Sequence, residues 1–468
     1  MENIKRRVAI KAPARASVWY IASSLAARVI SALGTPIFTR LLTPEEYGLY
    51  PLYTSWLGIF TVVVTLEICG GAIYRGLQKS KEDKDAFISA MLGLIFVLFS
   101  VFLLAYLALG RYINALTGLG TAVTLLLLLQ ILANAVISLY SARARFEYRY
   151  KTVALLNVLS AGFIPIFAVS LIYLGIRAEA RIIASSMTVA LISIPIALVM
   201  LKRSRRLIKP NLWLHILRQS LPLMPHYFAM TMTLKVIEIT VSRVYGAEAI
   251  GRFSVALSVG MAITVITGGL LSALSPWTLR RLSVGDIASI RELMLILTEL
   301  ISVACLGLLA LAPEVMAFFA AESFHSALPA IYPIALAMIP SFIASALMNG
   351  NMYFERSVIS VIPALSACGA SILLSLFVLP HVDYRYAGLF LLAAYTLLAS
   401  LNILVFKRLG RTSAIEIKKT VLVFLSTVLY ASLFFIFRDI MLSRILLALP
   451  LVPMLWKVGT RAFDKIRE

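Results

Sequence analysis

Apolar stretches of roughly twenty residues recur along the whole chain, separated by short charged connectors, and no other feature restricts its fold so strongly. A helix of about 20 residues crosses the hydrocarbon of a bilayer, where every backbone amide must be bonded within the segment. Of the 468 residues, 61% are hydrophobic and 14% charged, too little polar surface to clothe a soluble core. The segments read as spans at 16–39, 47–72, 86–110, 119–141, 152–175, 182–201, 219–242, 249–277, 293–313, 328–351, 357–380, 386–406, 415–437 and 441–460. The expected fold is all-α and polytopic, with about fourteen transmembrane helices and no separate soluble domain.

The formal net charge of +21 does not point to nucleic acid, because the Lys and Arg residues are spread through connectors and do not gather on one folded face. They are instead a topology signal, since cytoplasmic loops carry the Lys and Arg excess. With the N-terminus inside, 32 of the 43 basic residues fall on cytoplasmic segments and 9 on the opposite face. An even span count with both termini cytoplasmic follows. Lys5, Arg6, Arg7, Lys11 and Arg15 precede the first apolar run, which is too long for a cleaved signal and reads as a retained span. Cys69, Cys305 and Cys368 lie inside apolar runs at spacings that suit neither a metal nor a disulfide, so no metal or cofactor is expected.

An internal repeat organises the spans. At an offset of 203 residues, Arg40, Leu41, Glu45, Gly48 and Tyr50 fall on Arg243, Val244, Glu248, Gly251 and Phe253, and Tyr74 falls on Trp277. Phe146-Glu147 and Phe354-Glu355 form a second pair at offset 208. A repeat of six spans preserves orientation, which predicts two six-helix lobes related by a pseudo-two-fold axis along the membrane normal. The boundaries read as an N-terminal lobe at 1–201, a basic cytoplasmic linker at 202–218, a C-terminal lobe at 219–406, and two extra spans with a basic tail at 407–468.

Soluble-enzyme signatures are absent: there is no Walker loop, no HExxH and no dinucleotide-binding glycine loop. Attention therefore falls on charges inside spans, which are costly and tend to face a cavity or a partner. Arg28 lies mid-span among small residues, and Lys235 lies one helical turn from Thr231, its repeat equivalent. Each lobe would thus offer a deep cation to a phosphate or diphosphate in a central cavity, unless Glu67 neutralises Arg28 and Glu238 neutralises Lys235. Glu67, Glu238 and Glu299 are the candidates for coupling to a cation, a proton or Na+, which is the one accessory this reading admits. Arg40 and Arg243 read as interfacial anchors or caps, with a gating role open through their repeat symmetry.

The opening stretch through TRLLTPEEYGLY, Thr39 to Tyr50, resembles the polysaccharide-biosynthesis flippases, the Wzx or polysaccharide-transporter group of the multidrug/oligosaccharidyl-lipid/polysaccharide exporter superfamily. The resemblance implies two lobes that alternate access across the cytoplasmic membrane of a bacterium or archaeon. The cargo it implies is a polyprenyl-diphosphate-linked oligosaccharide, moved to the outer leaflet for O-antigen, capsule or exopolysaccharide. Its implied partners are membrane lipid, a polysaccharide polymerase and chain-length machinery. It makes Arg28 and Lys235 the diphosphate contacts. Alternatives are an ion-coupled multidrug antiporter or lipid II flippase of the same superfamily, and a membrane-embedded polysaccharide polymerase or ligase. The last usually needs a sizeable outer catalytic loop, which the connector at 314–327 does not supply.

Overall fold

The computed structural model describes residues 2–69, 73, 77, 84–147, 149–203, 207–353, 361–408 and 415–467. Phe354 and Glu355, half of the second repeat pair, lie outside them. The chain is built from helices: α1 (Glu2–Leu41), α2 (Pro44–Thr65), α3 (Lys84–Thr117), α4 (Thr121–Phe146), α5 (Tyr150–Tyr173), α6 (Ala180–Arg203), α7 (Pro210–Ser220), α8 (Met224–Gly260) and α9 (Ile263–Ser283). There follow α10 (Ile287–Ala310), α11 (Ala312–Phe319), α12 (Leu328–Tyr353), α13 (Val361–Leu373), α14 (Ala387–Arg408), α15 (Ile417–Ile436), α16 (Met441–Ala448) and α17 (Leu451–Arg467).

Among the described residues, eleven helices are long and apolar enough to cross a membrane, or up to twelve if the bent pair Met224–Gly260 and Ile263–Ser272 forms one span. Two places account for the difference from about fourteen. One is α1, which covers the segment 16–39 and stands outside that set. The other is α8, where Gly246 at φ 86° kinks what sequence reads as separate seventh and eighth spans. Only a residue without Cβ adopts that backbone freely. Leu104, Leu107, Leu422 and Leu429 are each about two-thirds exposed, which hydrocarbon tolerates and water does not.

The helices form two compact units, one of Met1–Leu42 with Leu49–Phe228, the other of Thr43–Gly48 with Ala229–Glu468. In the first, α1 runs along α5, α4 packs between α3 and α6, and the short α7 lies on α3. Trp213 of α7 donates its indole N–H to the Ala90 carbonyl at 2.7 Å, and Gly93 lets the Leu207 carbonyl approach the α3 backbone. Deeper in this unit the Tyr53 hydroxyl donates to Gln130 Oε1 at 2.6 Å and lies 2.9 Å from Ser186 Oγ. Ser185 and Ser186 also donate to Gln130 Oε1, and all four residues are buried. Replacing Gln130 with Leu takes the acceptor from three hydroxyls that have no water to turn to. The expected loss is about 2 kcal/mol, read as a lowered unfolding midpoint; an unchanged midpoint would show that the hydroxyls find other partners.

In the second unit α12 and α14 run closest together, because Gly388 leaves room for Pro333 and Ile334 of α12. Here α10 serves as a spine that carries α15 and α17. At one end, Arg444 of α16 makes two bonds of 2.6 Å to the Glu314 carboxylate and one of 2.7 Å to the Ala310 carbonyl. At the other, Arg461 and Lys465 of α17 pair with Glu299 and Glu292 of α10 at 3.2 and 2.8 Å. The added C-terminal helices are thus tied to α10 at both ends.

The segment Thr43–Gly48 explains why its motif reads TPEEYG. Thr43 Oγ1 accepts from the Glu46 amide at 3.2 Å and Glu46 Oε2 accepts from the Thr43 amide at 2.9 Å, a reciprocal cap on the start of α2. Pro44 takes the first helical position, where its missing N–H costs nothing. Tyr47 is buried edge-on against Phe324 at 5.5 Å. A Cβ on Gly48 would overlap the Ala247 carbonyl oxygen, and a Cβ on Gly251 would overlap the Pro44 carbonyl oxygen. Pro44 and Ala247, like Gly48 and Gly251, stand 203 residues apart. The contact is therefore reciprocal.

Candidate functional site

Small residues make α1 a helix that neighbours can approach closely, and Arg28 stands out in its middle. Its side chain is exposed and, among the described residues, pairs with no carboxylate. Glu67 does not reach it in an ion pair; it sits half-buried in the turn after α2, where Leu66 and Glu67 both take left-handed backbone, at φ 47° and 50°. Two successive residues with side chains in that region store strain of roughly 1–3 kcal/mol each.

The face of α1 opposite Arg28 is apolar. Ile30, Leu33, Gly34 and Ile37 line a groove of about 540 Å³ against Gly162, Pro165, Ile166, Val169 and Ser170 of α5. At 100° per residue these α1 positions cluster about half a turn from Arg28. One helix therefore holds charge on one side and an oily groove on the other.

Lys235 and Glu238 stack one turn apart on α8, with Nζ 2.5 Å from Oε2. The carboxylate is 5% exposed and the ammonium side chain 21%, so the cation is the more accessible partner. Thr233, just before them, accepts a 2.6 Å bond at its carbonyl from Ser371 of α13, and Tyr395 of α14 lies near enough to feel the Glu238 charge. Arg28 and Lys235 belong to different units, so the two cations are described separately.

The remaining candidates lie elsewhere in the two units. Glu299 is held by Arg461. Arg40 is exposed and donates to the Pro36 carbonyl of its own helix at 2.9 Å, while Arg177 caps that helix through the Leu41 carbonyl at 2.7 Å. Arg243 is exposed three residues before the Gly246 kink. Arg181 lies 4.0 Å over the Tyr50 ring and 4.7 Å over Phe38. Among the described residues no group of His, Cys, Asp or Glu is arranged to hold a metal ion.

Residues 14–281 match the family described as polysaccharide biosynthesis protein, more than half the chain. The chain belongs to that family. No curated protein matches it in sequence. In structure this family member is similar to the lipid II flippase MurJ in an inward closed conformation, at TM-score 0.73 and 15% identity, over 95% of this chain and 100% of that one. It is also similar to an inward-facing multidrug resistance MATE transporter of the MOP superfamily, at TM-score 0.63 and 16% identity, over 81% of this chain and 94% of that one. A MOP superfamily transporter from Pyrococcus furiosus, described as having a binding pocket of reversed polarity, superimposes at TM-score 0.59 and 17% identity, over 86% and 97% of the two chains. At these identities the likeness is one of fold. The polysaccharide biosynthesis family member is a multi-pass membrane protein with the fold of the MOP transporters.

Proposed function

We propose that this chain is a flippase that carries a polyprenyl-diphosphate-linked oligosaccharide from the cytoplasmic to the outer leaflet by alternating access. The observation that carries the reading is Arg28, an exposed guanidinium midway along a span, with no carboxylate paired to it among the described residues. A deep cation of this kind suits an anion, and a planar guanidinium suits phosphate oxygens in particular. Membership of a polysaccharide biosynthesis family and a fold shared with a lipid II flippase support a sugar-lipid cargo.

The physical need is plain. Sugar hydroxyls cannot cross hydrocarbon without losing their hydrogen bonds, whereas the prenyl tail can stay in lipid. Moving an anion out of an inside-negative compartment gains about 2.3 kcal/mol per charge for each 100 mV of membrane potential. A coupling cation, a proton or Na+, would add to that drive. In this reading both termini are cytoplasmic, Arg28 and Lys235 hold the diphosphate, 1–201 and 219–406 are the moving lobes, and a polymerase with chain-length machinery takes the product.

The test is reconstitution with a fluorescent polyprenyl-diphosphate oligosaccharide, scoring leaflet exchange. Arg28→Ala is expected to slow exchange by roughly tenfold or more, the worth of one charge-assisted contact. If the purified wild-type protein leaves exchange at the empty-liposome rate under imposed proton, sodium and potential gradients, the flippase reading fails.

A further inference from the structure

We infer that α7 and its flanks form a binding surface for anionic phospholipid, in which Lys202, Lys209 and Arg218 meet the phosphates while Ile208, Leu214 and Leu221 enter the edge of the acyl chains. The inference goes beyond the flippase reading and does not depend on its cargo. Every residue in it belongs to the first unit.

The length of α3 fixes the depth of α7. With 34 residues α3 is about 51 Å long, whereas the hydrocarbon of a bilayer is about 30 Å thick, so about 10 Å stands clear at each end of a centred helix. The Trp213 hydrogen bond and the close approach of Leu207 meet α3 at Ala90 and Gly93, about 9 and 14 Å from its start. That depth is the edge of the hydrocarbon. Connectivity keeps α7 there, because only residues 221–223 separate it from α8, a reach of about 11 Å.

The chemistry comes from the two sides of α7. Toward the core of the unit it buries Ile216 and Ser220. Away from the core, Leu214, Arg218 and Leu221 stack at intervals of one turn, with both leucines about half exposed and Arg218 exposed between them. Ile208, just ahead of the helix, is 72% exposed. Lys202 is exposed and Lys209 half-exposed, and among the described residues none of the three cations pairs with a carboxylate. No Asp or Glu stands between Glu179 and Glu238 in the sequence, so the positive charge of this stretch has no local counterweight. Large apolar side chains interleaved with uncompensated cations match the boundary of an anionic leaflet, where phosphates lie above acyl chains. Each cation near such a surface is worth about fivefold in binding.

The test uses the full chain in phosphatidylcholine nanodiscs doped with a trace of phosphatidylglycerol or of phosphatidylcholine, each carrying a diazirine next to its headgroup. After illumination, mass spectrometry of the digested protein gives the ratio of labelling by the two probes, peptide by peptide. Residues 207–221 should take several times more label from phosphatidylglycerol, while the lipid-facing α15 should show a ratio near one. Raising the salt to about 0.5 M should erase the excess, since the charges lie at a wetted surface. The combined Lys202→Gln, Lys209→Gln, Arg218→Gln variant should bring residues 207–221 to parity and leave α15 as it was. Equal labelling of 207–221 by the two probes in the wild-type protein overturns the inference, whether or not the variant folds. No labelling there by either probe overturns it too, by placing the face in water or under another protein. An excess that survives salt, or survives in a variant with an unchanged α15 ratio, removes the three cations from the explanation and the inference with them. None of these outcomes bears on whether the chain flips a sugar lipid.

Discussion

Alanine at Gly48 or at Gly251 is expected to lower the unfolding midpoint by several degrees, and by nearly the same amount at either position. Each new Cβ would meet a backbone carbonyl, of Ala247 in one case and Pro44 in the other. A carbonyl within helical backbone cannot turn aside as a side chain can, so the segments must part. Overpacking of a well-fitted site costs about 1–3 kcal/mol, and a clash with backbone belongs at the top of that range. Because the contact is reciprocal, separating the segments for one methyl makes room for the other. The Gly48→Ala, Gly251→Ala double variant should therefore lose clearly less than the sum of the two singles. Scanning fluorimetry on the detergent-solubilised protein reads all three. Wild-type midpoints in the single variants would mean that this close approach does not hold Thr43–Gly48 in place, and additive losses would mean that the two overlaps are independent.

The second large effect is expected at Arg444. Its guanidinium is 6% exposed and binds the Glu314 carboxylate with both terminal nitrogens while one also reaches the Ala310 carbonyl. Arg444→Ala should cost about 1–2 kcal/mol, because it strands the Ala310 carbonyl at the helix end, while the Glu314 carboxylate, 44% exposed, can turn to water. Arg444→Lys should rescue little, since a single ammonium cannot reproduce the fork. The damage should be local. Hydrogen exchange is expected to speed up in α15, α16 and the facing end of α10, with the first unit unaffected; protection unchanged in α15 and α16 would show that packing alone suffices there. The pH dependence has a definite sign. The hydrogen bonds from Arg444 hold the Glu314 carboxyl below the usual carboxylate range. Its contribution is then complete above the ordinary carboxylate pKa and is lost as pH falls through the depressed folded value. The tie at this end should hold at neutral pH and slacken in acid.

The fold was legible where its cause is local. Apolar runs of span length announce helices, and Thr43, Pro44 and Glu46 announce the cap that begins α2. Gly48 and Gly251 stood out at matching offsets because a polar or glycine landmark is conspicuous in apolar sequence. What stayed hidden depends on contact across the chain. Arg444 and Glu314 are 130 residues apart, and nothing near either predicts the other. Gln130 draws Tyr53 and Ser186 together from 77 and 56 residues away, and a glutamine inside a leucine run does not say which helices it will join. The Gly246 kink and the left-handed pair at Leu66 and Glu67 leave no mark in the apolar periodicity. At the candidate site the deep charges were visible, and the three-residue spacing of Lys235 and Glu238 already allowed the 2.5 Å contact that the two make.

The knot around Gln130 has one more consequence. For a helix among leucines and lipid tails, many rotations about its own axis are nearly equal in energy, since one oily surface is as good as another. Turning α2, α4 or α6 by a single residue would swing Tyr53, Gln130 or Ser186 through about 100° and leave its partners facing hydrocarbon. Gln130 thus settles which way three greasy cylinders point, a choice that their apolar surfaces leave undecided.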